Sequence, residues 1–382
     1  MRERAQQVLP VAVLLFAAAV PLSIAAAQIA LALAALAWLA SPRGESARPS
    51  RALLIAAACY AAFTLASAVA SDAPLASLAD SKELVLFAVL LVVPCAAAKL
   101  GSARLRLALY AGAAVSAAWG LLAYAASPGG LEFRTRGPYG HYMTYGGMLM
   151  LVLVALVADL ATRAPGEWRE ARVLARALLL PLLLAALNAS YARSAWLGLA
   201  TGLLMTLALA QPRLLLLVPV LLALALALAP QGMRTRLTTM ADFRHDASSL
   251  ERISMAEAGW RMVKDHPLLG VGPSRVSAAY PRYRSSDAPD RRPSHLHNNL
   301  TQIAAERGLP ALAAWLGLLC VAGRDAWRAR RGTAAKASAV AALGAIAALF
   351  VAGLFEYNFG DSEVKMLFLF LLALPCGDVT AP

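Results

Sequence analysis

The chain alternates between long apolar runs and short polar segments. The runs are about 15–22 residues long, close to what a helix needs to cross the hydrocarbon core of a bilayer. They fall near 8–23, 25–41, 52–70, 84–98, 107–126, 141–160, 175–189, 195–210, 214–230, 303–323, 337–355 and 364–378. This pattern predicts an all-α, polytopic membrane protein of about 12 transmembrane helices. Pro267 and Pro310 mark breaks. Gly308-Leu-Pro310 is placed to separate an interfacial helix over 297–307 from a shorter span. One polar segment, 231–297, is far longer than the rest. It divides the chain into a membrane part (1–230, nine spans), a loop (231–297) and a second membrane part (298–382, three spans).

The loop has a pattern of its own. Ser248-Ser249-Leu250-Glu251 reads as a capping box that opens a helix running to about Lys264 and ending at His266-Pro267. Leu250, Ile253, Trp260 and Val263 supply its apolar stripe. Leu268-Leu-Gly-Val-Gly-Pro273 reads as a turn that brings the chain back toward the membrane. No internal repeat is visible.

Charge sets the orientation. Placing the N-terminus inside leaves 1–8, 41–51, 99–106, 161–176, 211–213 and 324–336 on the cytoplasmic side, with 18 Lys and Arg among them. The short segments on the other side, 71–83, 127–140, 188–194 and 356–365, hold 5. The long loop then lies outside. The first residues imitate a signal peptide, but a second apolar run continues to Ala40, which favours two uncleaved spans.

Composition agrees with a membrane protein: 60% of residues are hydrophobic and 15% charged, whereas a soluble domain averages about a quarter charged. The net charge of +13 does not point to nucleic acid, because the charges sit between apolar runs. The four cysteines lie within or at the ends of those runs, without a CxxC, and suggest neither a disulfide framework nor zinc.

Candidate chemistry gathers at one side of the membrane. Arg291-Arg-Pro-Ser-His-Leu-His-Asn-Asn-Leu-Thr-Gln-Ile-Ala-Ala-Glu-Arg-Gly308 is polar, yet an apolar span follows it at once. If it is helical, His297, Thr301, Ala304 and Gly308 share a face. His297 then occupies the first turn, where the helix dipole disfavours the imidazolium. A neutral imidazole there is either a general base or a simple cap. Glu306 and Arg307 are an ion-pair candidate. His295 and His297 form a His-x-His pair, but no helical His-x-x-x-His exists and no carboxylate partner can be placed. No metal site is therefore assigned.

Arg193 lies with Tyr191 in a very short turn between two spans, and either snorkels to lipid headgroups or binds phosphate. Arg252 is in the first turn of the loop helix, where its charge opposes the dipole. It is either a solvated arginine or one paired with an outside anion. Arg134-Thr-Arg136-Gly-Pro-Tyr-Gly-His141 enters a span. His141 either bonds a carbonyl or touches a ligand. Glu356 opens a polar turn, Glu356 to Glu363, whose carboxylates either orient an imidazole or an arginine or simply close a loop.

At these residues the chain resembles the O-antigen ligase family of bacterial inner membranes, the superfamily shared with O-antigen polymerases and protein O-oligosaccharyltransferases. The resemblance rests on His297-Asn298 followed after nine residues by Gly308, with Ala311 a mild departure three on. It rests also on the turn from Ser190 to Trp196, and on Arg252 with Trp260 and His266-Pro-Leu-Leu-Gly-Val-Gly272. It covers about residues 130–365. It implies a helical glycosyltransferase of about twelve spans with a periplasmic loop as cap. The implied donor is an undecaprenyl-diphosphate-linked glycan, and the acceptor a hydroxyl on lipid A–core or another molecule. No metal, cofactor or nucleotide sugar is implied, and membrane lipids are the remaining partner. His297 is the expected base, with Arg193 and Arg252 on the departing diphosphate. Asn298, His295, Arg136, His141, Tyr191 and Glu356 are expected to line the substrate site. A polymerase is the alternative within the superfamily. A transporter is the alternative outside it, which calls for ionisable residues or breaks at mid-span and for repeats.

Overall fold

The computed structural model describes residues 2–41, 47–130, 132–217, 247–285 and 292–378. All regular structure among them is helical. The elements are α1 (Arg2–Ala19), α2 (Ile24–Ala40), α3 (Arg51–Ala70), α4 (Pro74–Asp80), a 3-10 stretch (Ser81–Ala88) running into α5 (Val89–Leu100), α6 (Ser102–Ala125), α7 (Tyr142–Ala161), α8 (Ala171–Ala177), α9 (Leu179–Ser190), α10 (Arg193–Ala210), α11 (Ala247–Asp265), α12 (Val276–Tyr283), α13 (Asn299–Ala329), α14 (Lys336–Ala352) and α15 (Ser362–Asp378). Among the described residues, seven helical stretches are long and apolar enough to cross a membrane, and α1, α2 and α14 contribute shorter apolar segments. The apolar runs of the sequence fall on these helices. The ninth, 214–230, lies outside the described residues except for its first turn.

Helix α7 is apolar on all sides and sits at the centre. Thr144 through Leu156 are buried without a gap, as a helix with no polar face must be. It packs against α9, α10, α14 and α15, and α15 is buried from Glu363 to Pro375. Helices α10 and α14 approach closely through small residues. A Cβ on Gly198 would stand 2.7 Å from the Ala348 carbonyl oxygen, and one on Gly202 would stand 3.0 Å from that of Gly344. Small residues at such a spacing let helices pack by contact where lipid offers no hydrophobic drive. Outer faces carry exposed apolar stripes, among them Ile29, Leu33 and Leu36 on α2 and Val115, Trp119 and Leu122 on α6.

Helices α11 and α12 pack on the first turns of α13. Met255, Ala258, Met262 and Val263 meet Val276, Tyr280, Leu296, Ala304 and Ala305. This corrects the stripe expected for the loop helix: Val263 is inside, but Ile253 is 49% and Trp260 58% exposed. Small residues choose the inward face here. Gly259 lies so near α13 that a Cβ would meet the Thr301 methyl at 2.4 Å and Leu296 at 2.7 Å. The side chains of Ser248, Ser249 and Leu250 lie outside the described residues, and the capping box with them.

Helix α13 breaks at Gly308, whose φ of 82° is left-handed. The break takes Leu309 N away from Ala305 O, Pro310 has no N–H to offer Glu306 O, and the 267–272 turn supplies both partners. Val271 N donates to Ala305 O at 2.8 Å and Gly272 N to Glu306 O at 2.9 Å, while Leu309 N donates to Pro267 O at 2.8 Å. A side chain on Gly308 would collide with the Leu268 carbonyl oxygen at 2.1 Å. The expected break at Gly308 thus exists, although the helix before it begins at Asn299 rather than at His297.

Candidate active site

The start of α13 is clamped to the loop between α14 and α15. Asn298 caps the helix, its side chain accepting from Thr301 N at 2.9 Å. The same side chain donates to Leu354 O at 3.0 Å. Asn299 N donates to Gly353 O at 2.6 Å, and the Asn299 side chain donates to Asn358 Oδ1 at 2.8 Å and accepts from Phe359 N at 3.2 Å. A Cβ on Gly353 would stand 2.1 Å from the Asn299 amide nitrogen, so only glycine fits that contact. The clamp brings Glu356 to the histidines although the two segments lie far apart in sequence.

His297 Nδ1 is 2.9 Å from Glu356 Oε2, and His295 Nε2 is 3.4 Å from Glu356 Oε1. Tyr357 N donates to Glu356 Oε1 at 3.1 Å. His297 N donates to His295 Nδ1 at 3.3 Å. These bonds assign both tautomers. A carboxylate only accepts, so His297 donates from Nδ1, and in the neutral form of the ring the lone pair is on Nε2. His295 accepts at Nδ1 and so carries its proton on Nε2, toward Glu356.

The environment supports this arrangement. Burial pushes the His295 pKa down to about 4, against the opposing pull of Glu356, so His295 is neutral near pH 7. Burial pushes the Glu356 carboxyl up, but the neighbouring imidazoles, chiefly through the bond from His297, and the bond from Tyr357 N outweigh it, and its pKa lies below the ordinary value. The carboxylate is therefore ionised although its side chain is only 6% exposed.

Two expectations change here. His297 is not in the first helical turn: Asn298 takes the capping position, and His297 precedes it with φ 51°. The histidine is held by Glu356, not by the helix dipole. A carboxylate partner for the His-x-His pair, which sequence spacing could not place, also exists: one donor atom from each of His295, His297 and Glu356 lies within 4.8 Å of the others.

His141 caps α7, its Nδ1 accepting from Met143 N at 3.3 Å. Burial lowers its pKa, while Glu356, His297 and Arg134 are close enough for their charges to act on it. It lines a cleft of about 900 Å³ with Arg134, Arg136, Tyr142, Phe133, Trp119 and Tyr124. Arg134 lies 4.5 Å over the Tyr142 ring. Tyr191, left-handed at φ 53°, reaches the cleft wall through its hydroxyl, 3.0 Å from that of Tyr124. Arg193 opens α10 two residues on and is exposed. Arg252 is half-buried near the start of α11, and no hydrogen bond or ion pair joins it to His295, His297 or Glu356. Of the three non-glycine residues with positive φ among those described, Tyr191, Ser274 and His297, two are residues singled out from sequence. Such conformations cost on the order of 1–3 kcal/mol and cluster at functional sites.

A buried polar layer adjoins this site. Glu306 and Arg307 form their ion pair, Gln302 Nε2 donates to Glu306 at 2.8 Å, and Arg307 reaches the Tyr357 hydroxyl at 3.1 Å. Lys365 pairs with Glu83 nearby. Sequence reasoning passed over Arg134 and the Lys365–Glu83 pair. The Arg-x-Arg spacing before His141 was a usable signal for the first. Nothing local marked the second.

The family model described as O-antigen ligase matches residues 177–316. This match supports an O-antigen ligase family assignment for that stretch. The matched stretch holds Tyr191, Arg193, Arg252, His295, His297, Asn298 and Gly308, while Arg136, His141 and Glu356 lie beyond it. Members of the O-antigen ligase family are glycan-transferring enzymes that act on lipid-linked polysaccharides in general. No curated protein matches the chain.

Proposed function

We propose that this chain is a member of the O-antigen ligase family that transfers a glycan from an undecaprenyl-diphosphate carrier to an acceptor hydroxyl, in ligation to lipid A–core. The observation that carries the reading is the His297–Glu356 pair. A buried carboxylate holds the imidazole by Nδ1, leaves Nε2 basic and stabilises the imidazolium formed when that nitrogen takes a proton. The acceptor hydroxyl loses its proton to Nε2 as its oxygen attacks the anomeric carbon. The bond to the diphosphate breaks on the opposite face, and the configuration inverts.

The leaving diphosphate needs charge stabilisation rather than a proton. Arg193 and Arg252 are assigned to it, with Arg136 and His141 in the adjoining cleft. The aromatic walls of that cleft, Trp119, Phe133 and Tyr142, suit sugar rings and the first isoprene units. The reaction faces the periplasm of the inner membrane, under a loop (231–297) that covers the glycan. Transfer needs no metal.

The test is transfer by purified protein from a defined lipid-linked donor to candidate acceptors: lipid A–core, a second copy of the glycan repeat, and an acceptor protein. Transfer to lipid A–core that is lost in His297→Ala supports ligation. Transfer only to the glycan repeat identifies a polymerase, and only to protein an oligosaccharyltransferase. Full activity in His297→Ala removes the base from the mechanism.

A further inference from the structure

We propose that His295, His297 and Glu356 form an inhibitory site for a divalent transition metal, Zn²⁺ in the first place. The inference rests on the reading of His297 as the base. Two imidazoles and one carboxylate from two segments converge, with one donor atom from each within 4.8 Å of the others. The pairs that touch are separated by 2.9 Å (His297 Nδ1 to Glu356 Oε2) and 3.4 Å (His295 Nε2 to Glu356 Oε1). Tetrahedral zinc, with bonds of about 2.0–2.1 Å to nitrogen and oxygen, sets its ligands roughly 3.3 Å apart. The cluster thus needs shifts of about an ångström or less to close on an ion. Imidazole nitrogens favour Zn²⁺, Cu²⁺ or Ni²⁺ over Mg²⁺ or Ca²⁺. Three protein ligands leave one position for water.

Metal bound in this way stops catalysis because of where it binds. It takes the Nδ1 of His297, which in the metal-free enzyme carries the proton shared with Glu356. The neutral ring keeps one proton, which passes by exchange with water to Nε2. His295 changes tautomer likewise and gives up the 3.3 Å bond it accepts from His297 N. Both rings stay neutral and no net proton is released. The nitrogen that would accept the hydroxyl proton is now itself an N–H, and Glu356 is committed to the ion. The device that makes His297 a base in the metal-free state thus disables it in the metal-bound one.

The experiment uses full-length protein in nanodiscs, stripped with EDTA. Stripped protein should be fully active. Zn²⁺ should lower the transfer rate at least tenfold at saturation, EDTA should reverse this, and Mg²⁺ should do nothing. Co²⁺ added in place of zinc reports binding directly through the visible absorption of a four-coordinate ion, at one equivalent. His295→Ala and His295→Asn, each compared with its own metal-free rate, should need at least tenfold more Zn²⁺ for half-inhibition and should lose the Co²⁺ spectrum. Absence of that spectrum in wild type, or inhibition unchanged in both His295 variants, overturns the metal site and leaves the base reading standing. Stoichiometric Co²⁺ binding with an undiminished rate overturns the inhibition and the base reading together. Loss of transfer in EDTA with recovery in Zn²⁺ makes the metal a cofactor and overturns the inhibitory assignment.

Discussion

Replacing Glu356 by Gln tests the proposed chemistry at its centre. The two side chains have nearly the same shape, and Gln can still accept from His297 Nδ1 through its one oxygen, although its NH₂ then faces Tyr357 N, which donates to the other carboxylate oxygen in the wild type. What is lost is the charge. When His297 takes the acceptor proton, an imidazolium forms whose charge centre lies about 4 Å from that of the carboxylate. At an effective dielectric constant of about 20, the attraction is roughly 4 kcal/mol. The Glu356 side chain is 6% and that of His297 24% exposed, so solvent reduces this figure to about 3–4 kcal/mol. Each 1.36 kcal/mol is a factor of ten, and kcat should fall about 10²–10³-fold. If the Gln amide turns its NH₂ group toward Nδ1, the tautomer reverses and the loss exceeds this range. Because the lost attraction acts on the proton transfer and not on donor binding, donor KM should hardly move. The assay is single-turnover transfer at saturating donor, with the melting temperature as control. A well-folded Glu356→Gln protein with kcat within threefold of wild type would refute the dyad.

The remaining predictions concern the diphosphate, the loop and one buried acid. Arg193→Lys keeps the charge but loses the planar fork; single-turnover transfer should slow by about 2–4 kcal/mol in barrier, as for the loss of one oxyanion-hole donor, with Arg252→Lys milder, and equal rates would reduce Arg193 to a lipid anchor. Ser285→Cys should react with an impermeant thiol reagent in cells with a permeabilised outer membrane, and absence of labelling would place 231–297 inside. Burial raises the Asp361 pKa from 3.8 to about 7, against the bond from Thr144. The protonated form is the one the fold favours, so this contribution is full below about pH 4 and is lost as pH rises through 7. Asp361→Asn should therefore melt higher than wild type at pH 8, by on the order of 1–3 kcal/mol, with the gain shrinking toward pH 4; a constant difference across that range would show that Asp361 does not titrate as argued.

The apolar helices were legible because a run of apolar residues long enough to cross a bilayer has few other uses. His297 and Glu356 were both legible as residues, but their pairing was not. It depends on the clamp of Asn298 and Asn299 on Gly353, Leu354 and Asn358, made largely through backbone groups, which leave no periodicity to read. His297 was assigned to a helical turn because nothing in the sequence distinguished Asn298 from Asn299 or His297 as the cap. The face of α11 was misread for a related reason. Large apolar residues usually point inward, but at Gly259 the closeness of α13 decided the face, and Trp260 was turned out. Arg193 was read as part of a turn but is the first residue of α10, and Arg252 was read in a first helical turn but lies five residues after the start of α11 at Ala247.

The break at Gly308 accounts for how the loop is tied to the segment that carries His297, the proposed base. Irregular backbone near a bilayer is tolerated only where protein replaces the lost hydrogen bonds. Here the 267–272 turn does so, donating to Ala305 O and Glu306 O, and Ser67 donates to Glu306 O at 2.8 Å. The side chain of Glu306 completes the tie by accepting from Ser274 N at 2.9 Å and from Gln302. Gln302 in turn accepts from Leu296 N at 2.7 Å, the residue before His297. The loop is thus joined to the residue beside the base through a chain of two buried side chains. An uninterrupted helix would keep the Ala305 carbonyl for Leu309 N, while Pro310, which has no N–H, leaves the Glu306 carbonyl open to the turn in any case. The interruption and Pro310 leave those groups free, and the loop uses them to fix its distance from the dyad. Gly308 is therefore required twice: for a left-handed backbone other residues adopt at a cost, and because the Leu268 carbonyl occupies the space a side chain would need.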